Sequence, residues 1–229
     1  MKLKLIFLAL LFSMCSNVTQ EYNEEIRVVS LSTTHTEVIQ TLGGQDTLVA
    51  VDAFSEVDFP VERIDAYTVT AEELVPLKPD VVIIAFDFNG IVDGLEGQEI
   101  NYVLLPPART LDDVYIQIEA VGDIINKRSE ARTKIRDMKL EINRILDDSN
   151  FGSVSVYHEI GYTYGIYSVN NESLIGQIYN SIGVENIAGL EEDPFGSGYP
   201  ALSEEAVSYT HLRAHETVLD LVCRLLLEK

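Results

Sequence analysis

The stretch DVVIIAF (residues 80–86) is a nearly continuous apolar run rich in β-branched residues. Such a run is typical of a strand in a parallel sheet, because helices cover both faces of the sheet. Two similar runs, IRVVSLS (26–32) and TLVAVDAF (47–54), precede it, and NYVLLP (101–106) follows it. The four runs predict four parallel strands.

Helical segments lie between these runs. TEVIQTLGG (36–44) ends in two glycines, which favour the end of a helix, and TAEELVPL (70–77) leads into the run at 80–86. Alternating strands and helices predict a doubly wound, Rossmann-like α/β lobe over residues 26–108.

A helical region follows at residues 109–148. Its second helix, at about 128–147, would be about 30 Å long at 1.5 Å per residue, which is enough to bridge two lobes. The alternation then restarts with SVSVYHEI (153–160) and a helix at about 172–183, capped by Asn170 or Asn171. We therefore expect two Rossmann-like lobes bridged by a long helix, the second covering residues 149–206. No β-branched run follows residue 206, so we expect this second lobe to be truncated.

The amino-terminal residues 1–15 have the pattern of an export signal. An apolar run at 5–12 is too short to span a bilayer of about 30 Å, and Cys15 follows it where a bacterial lipoprotein carries its lipidated cysteine. Met14 departs from that pattern, since a small residue is usual there. We expect lipidation of Cys15 and a tether at 16–25, with simple cleavage and release as the alternative.

The composition restricts the partners. Thirty-seven acidic and sixteen basic residues give a formal charge of −21, which repels nucleic acids and anionic lipid headgroups. We expect no nucleic-acid partner, and contact with a membrane only through the lipid anchor. The sequence also contains no GxGxxG turn after the first strand, no P-loop, no GxSxG elbow and no HExxH, so no enzyme class is indicated.

Five segments carry a resemblance to a known family. They are RVVSLSTTHTEVIQTLGGQDTLVAVD, TAEELVPLKPDVVI, TLDDVYIQIEAVG, SLIGQIYNSIGVENIAG and GYPALSEEAV, in this order between Arg27 and Val207. They resemble the iron-siderophore and cobalamin binding proteins of ABC importers.

The resemblance implies a monomeric protein of the periplasm or cell surface. It would hold a metal chelate between its lobes, without a cofactor of its own, and pass it to an ABC permease and its ATPase. Two alternatives stay open: a haem or direct metal-ion binding protein, and a surface receptor or enzyme that reuses the same lobes.

Candidate ligand contacts follow the predicted strands, because ligands of open α/β sheets bind beyond the carboxyl ends of the strands. Aromatic rings there can pack against a flat macrocycle, while hydroxyls and imidazoles contact its polar rim. Phe88 lies on the same predicted loop as Phe86, and Phe86 itself is equally compatible with a core position. The candidates are Thr33, Thr34, His35, Phe54 and Phe86 in the first lobe, and Tyr157, His158, Glu159 and Tyr199 in the second.

Two of these candidates, His35 and His158, are weak candidates for metal ligation. They follow strands of different lobes, so they could face each other across the cleft, with Glu159 as a third ligand. Contact with an organic chelator is the preferred hypothesis for all three residues.

The family resemblance also implies permease docking through one acidic residue on each lobe. The matching positions are Glu72 and Glu205. Helix capping is an alternative, because Thr70 and Glu73 have capping-box spacing, and an acidic residue in a first turn is favourable near the helix dipole.

The carboxyl-terminal segment, residues 207–229, is expected to be non-native. VSYTHLRAHET (207–217) and LVCRLLLEK (221–229) resemble the translation, in one reading frame, of a transposase-derived sequencing adapter. His211 and His215 have the i, i+4 spacing of a zinc site, but the adapter resemblance excludes them as candidates. The segment also contains Cys223, the second of two cysteines.

Overall fold

The structure, a computed structural model, describes residues 26–148, 154–161 and 165–209. Its first lobe contains a five-stranded sheet and five α-helices. The strands are β1 (Val28–Leu31), β2 (Leu48–Asp52), β3 (Glu62–Ile64), β4 (Val81–Ile84) and β5 (Tyr102–Leu104). The helices are α1 (Thr33–Thr41), α2 (Ala71–Leu74), α3 (Ile91–Gly97), α4 (Leu111–Ile124) and α5 (Arg128–Asp148).

All neighbouring strands of this sheet are parallel, in the order β3-β2-β1-β4-β5. The chain builds outward from β1 to one edge and then returns to β4 on the other side. The boundary between β1 and β4 is therefore a topological switch point, where open α/β sheets form a crevice.

The sheet is apolar because both of its faces are covered. Val28, Val51 and Ile83 pack in one cluster with residues of α1, α4 and α5. Val29 and Val82, which alternate with them along the strands, pack in a second cluster with residues of α2 and α3. This double burial confirms the first predicted α/β lobe.

Strand β3 was not expected from the sequence. Glu62 and Arg63 are exposed, and the strand pairs only with β2 at the sheet edge. Short, charged strands are common at sheet edges, where they discourage pairing with other chains. Strand β3 therefore lacks an apolar run because it lies at the edge of the sheet.

The helical region agrees with the prediction. Thr110 caps α4, since its side chain accepts from Asp113 N at 3.1 Å while the Asp113 carboxylate accepts from Thr110 N at 2.8 Å. Hydrogen bonds to its carboxylate from the Thr110 side chain and from the backbone N–H groups of Thr110 and Arg109 lower the pKa of Asp113. Helix α5 has 21 residues, and within the described ranges no helix is both long and apolar enough to cross a membrane.

The second region, residues 154–161 and 165–209, contains two small sheets. Strand β6 (Ser155–Val156) pairs in parallel with β8 (Glu185–Asn186), and β7 (Ile166–Tyr167) pairs antiparallel with β9 (Ala201–Leu202). The two helices are α6 (Leu174–Ser181) and α7 (Glu204–Tyr209). The predicted strand at 153–160 is therefore much shorter than expected.

Helix α6 begins later than predicted. Ser173 is its cap and accepts from Gly176 N at 3.0 Å, so the expected caps Asn170 and Asn171 are wrong. Asn170 instead shapes the preceding turn, where its side chain accepts from Glu172 N at 2.9 Å.

Candidate functional site

A cavity of about 630 Å³ lies at the carboxyl edge of the five-stranded sheet. Every strand of the sheet is followed by residues that line it. They are Ser32 to His35 after β1, Asp52 and Phe54 at the end of β2, Ala66 and Tyr67 after β3, Ala85, Phe86 and Phe88 after β4, and Pro107 and Ala108 after β5. The cavity therefore lies where the switch point predicts a ligand site.

One wall of the cavity is aromatic. The Phe88 ring lies between Tyr67 and Phe86, with centroid distances of 4.6 and 5.1 Å and tilts of 37° and 39°. Asn89 fixes this arrangement, because its side chain donates to the Tyr67 carbonyl. Phe54, 69% exposed, adds a fourth ring. Such a surface suits the face of a large conjugated or apolar ligand.

His35, in the first turn of α1, lines the cavity and is only 2% exposed. Its Nδ1 lies 2.8 Å from Ser32 Oγ, and its Nε2 lies 3.1 Å from Gln117 Oε1. Gln117 Nε2 donates to the Pro106 carbonyl at 2.6 Å, so its Oε1 is left to accept from His35. We therefore assign the proton of a neutral imidazole to Nε2.

This arrangement connects α1 to α4 below the ligand space. Burial lowers the pKa of the His35 imidazole below its usual 6.5, and the hydrogen bond with Gln117 opposes that effect only in part. Both ring nitrogens already have partners. His35 could therefore bind a metal ion only if its hydrogen bond to Ser32 or to Gln117 were broken.

Three hydroxyl side chains form a buried hydrogen-bond network at the carboxyl edge of the five-stranded sheet. Thr36 Oγ1 donates to Ser30 Oγ at 2.9 Å and accepts from Ser55 Oγ at 3.2 Å. The Asp52 carboxylate accepts from the backbone N–H groups of Phe54 and Ala66, both at 3.1 Å. Asp52 thus fixes the loops that present Phe54 and Tyr67.

The structure brings together the five predicted ligand residues of the first lobe. Thr33, Thr34, His35, Phe54 and Phe86 all line the cavity. The first three lie on α1, which begins at Thr33 and therefore earlier than the helical segment predicted from residue 36. Ligand contact by these residues stays a prediction.

The four predicted residues of the second lobe do not line this cavity. His158 instead contacts α6, where its Nδ1 lies 2.7 Å from the Tyr179 hydroxyl, and the Tyr157 hydroxyl donates to Glu159 at 3.4 Å. Tyr199 is 43% exposed. Within the described part of the chain, His158 is not brought to the cavity with His35, and no three His, Cys, Asp or Glu residues are grouped as metal ligands.

The sequence did not point to several other cavity residues, among them Asp52, Tyr67, Gln117 and Leu174. Tyr67 follows the unpredicted strand β3, and Asp52 ends β2 inside an apolar run. Gln117 and Leu174 lie on α4 and α6. Nothing in their sequence context distinguishes them from other helical positions.

The two predicted docking residues, Glu72 and Glu205, are both exposed. Glu73, not Glu72, caps α2, since its carboxylate accepts from Thr70 N at 2.8 Å. Glu72 is exposed and accepts from Gln98 Nε2 at 3.4 Å. Glu205 is exposed in the first turn of α7. Cys15, His211, His215 and Cys223 lie outside the described residues.

Comparison with known proteins decides the family. The model of a family described as periplasmic binding protein matches residues 28–213 of this chain. The chain belongs to the periplasmic binding protein family. The two-lobed α/β fold of this family confirms the predicted architecture.

Two curated relatives of this periplasmic binding protein differ in how far they are characterised. An uncharacterised ABC transporter substrate-binding lipoprotein of Bacillus subtilis is 24% identical over 195 residues, covering 80% of this chain and 60% of the relative. A vitamin B12-binding protein of Pectobacterium carotovorum is 27% identical over 200 residues, covering 82% and 70%. The chain thus spans less than two thirds of the Bacillus protein.

Among solved structures, the periplasmic heme-binding protein HutB of Vibrio cholerae matches with a TM-score of 0.70. The two sequences are 21% identical, and the match covers 80% of this chain and 72% of that one. At this identity the likeness shows a shared fold. The adapter interpretation of residues 207–229 stays a prediction.

Proposed function

We propose that this chain is the extracytoplasmic solute-binding component of an ABC importer. It would capture a metal chelate, such as a ferric siderophore, cobalamin or haem, and deliver it to a permease and its ATPase. In this proposal the chain is a monomer and not an enzyme, it needs no resident cofactor, and a lipid on Cys15 holds it at the membrane.

The aromatic wall at the switch point carries the proposal. Phe86 is 49% exposed and Phe54 is 69% exposed, so large apolar surfaces are presented to solvent in a preformed cavity. Covering them with a chelate would gain hydrophobic free energy without rearranging the sheet. The relatives support this ligand class, since two curated members are named vitamin B12-binding proteins.

Calorimetric titration tests the proposal. The 229-residue chain would be titrated with ferrichrome, cyanocobalamin and haem, and we expect saturable binding of at least one of them. Phe86→Ala should weaken that binding about tenfold, which corresponds to 1.4 kcal/mol. Ile116→Ala is the control, because Ile116 is 65% exposed on α4 and does not line the cavity.

Failure of all three chelates to bind the unaltered chain contradicts the proposed function. Equal weakening by Phe86→Ala and Ile116→Ala would instead remove the aromatic wall as the binding surface.

We further propose that Glu72 and Glu205 contact basic residues of the permease. Glu73, not Glu72, completes the capping box of α2, and the exposed Glu72 carboxylate accepts a bond from Gln98 at 3.4 Å that a permease contact could replace. Interfacial charges of this kind govern encounter and register more than affinity. Glu72→Lys should lower chelate transport into vesicles containing an ABC permease that accepts the unaltered chain, without changing chelate affinity; unchanged transport contradicts the assignment.

A further inference from the structure

A turn of the second region meets the rim of the cavity. We name residues 193–198 (DPFGSG) the rim turn. The Arg109 guanidinium, one residue beyond the cavity residue Ala108, donates to the Gly196 carbonyl of this turn. It also lies 3.7 Å from the Glu172 carboxylate, two residues before the cavity residue Leu174.

The rim turn is well ordered by its own hydrogen bonds. The Asp193 carboxylate accepts from Phe195 N at 3.0 Å, from Ser197 Oγ at 2.7 Å and from Gly198 N at 2.8 Å. These bonds lower the pKa of Asp193 to about 2. Its conformation is therefore set before any ligand arrives.

A second contact seats the rim turn on the start of α6. Gly198 has a φ of +89°, and a Cβ placed there would meet three Ser173 atoms at 3.0 Å. Only glycine combines this backbone conformation with so close an approach. Because Ser173 caps α6 directly before Leu174, the turn is fixed beside the cavity from both lobes.

Phe195 is the residue that this turn displays. Its side chain is 93% exposed, although the turn around it is ordered by three side-chain bonds and an interlobe contact. Exposure of an apolar ring to water is unfavourable, so covering the Phe195 ring with a ligand of the neighbouring aromatic cavity would be favourable.

We infer that Phe195 is a ligand contact of the second lobe, which packs on the apolar face of the bound chelate, and that Arg109 is its positioning residue. This inference rests on the proposed function. It assigns to the rim turn the role that was predicted from the sequence for Tyr157, His158, Glu159 and Tyr199.

The absence of tryptophan from the chain allows a direct test. Phe195→Trp places a single indole on the rim turn, and Leu190→Trp places one at a similarly exposed position (92%) outside the rim turn. With ferrichrome, cyanocobalamin or haem bound, acrylamide quenching should fall at least twofold for Phe195→Trp and stay unchanged for Leu190→Trp.

Affinity gives a second readout. Phe195→Ala should weaken chelate binding about tenfold, the change made by 1.4 kcal/mol, whereas Leu190→Ala should change it less than twofold. Arg109→Ala should also weaken binding, but it should have no further effect in the Phe195→Ala background, because it acts through the turn.

The outcomes separate the two proposals. If the unaltered chain binds none of the three chelates, both the function and the role of Phe195 are overturned. If it binds a chelate while Phe195→Ala behaves like Leu190→Ala, or while acrylamide quenching stays unchanged, only the role of Phe195 is overturned.

Discussion

The first lobe and the second region differ in how they bury their apolar residues. In the first lobe, Val29, Val82 and Ile83 are completely buried in a sheet covered on both faces. In the second region, Ile160 is 49% exposed and Ile178 is 40% exposed, beside sheets of two strands. The first lobe can therefore preform the cavity, while the second region contributes contacts at its rim.

The largest expected effect tests this difference in burial. Ile83→Ala removes a fully buried side chain from β4 and should lower the free energy of unfolding by about 2–5 kcal/mol. Ile178→Ala, made on the exposed face of α6, should cost less than about 1 kcal/mol. Urea denaturation followed by circular dichroism measures both, and similar losses would show that the two regions are equally well packed.

A second substitution tests whether the second region is loose throughout. A Cβ at Gly176 of α6 would lie 2.0 Å from the Asn170 carbonyl oxygen, a backbone atom that cannot rotate away. We expect Gly176→Ala to destabilise the chain by about 3 kcal/mol, at the upper end for overpacking.

Gly97→Ala is the matched control for this substitution. A Cβ at Gly97, the last residue of α3, meets nothing within 4 Å, so alanine should be neutral or slightly stabilising there. Thermal denaturation compares the two variants. A tolerated Gly176→Ala would mean that the start of α6, which supports the rim turn, is as adaptable as the surface around it.

The same difference explains how much of the fold the sequence predicted. Strands β1, β2 and β4 were recognisable because they are apolar runs inside a covered sheet, and β5 was recognisable because it keeps an apolar run although it lies at an edge. Strand β3 was not, since an edge position tolerates Glu62 and Arg63. In the second region, SVSVYHEI looks like a strand, but only Ser155 and Val156 find a partner strand. Apolar patterns in a sequence reveal strands whose side chains are buried, and they are less reliable for strands that are only partly buried.

The site follows the same rule. Phe54 and Phe86 follow strands that were predicted from the sequence, whereas Tyr67 follows β3, which was not. Gln117 and Leu174 approach the cavity from helices through tertiary packing, so strand ends could not reveal them. His158 follows β6 as expected, but its side chain contacts Tyr179.

The smallest expected effect concerns His35 in the first lobe. Its folded-state pKa lies below the usual 6.5 because of burial, so below about pH 6.5 the unfolded chain binds a proton that the folded chain does not. Stability should be complete above this pH and should decrease as the pH falls toward the folded-state pKa.

His35→Leu should cost about 1–2 kcal/mol at pH 7.5, because Ser32 and Gln117 lose a partner. It should also flatten the decrease between pH 6.5 and 5, which urea denaturation at each pH measures. A variant with the same pH dependence as the unaltered chain would show that another group causes the decrease.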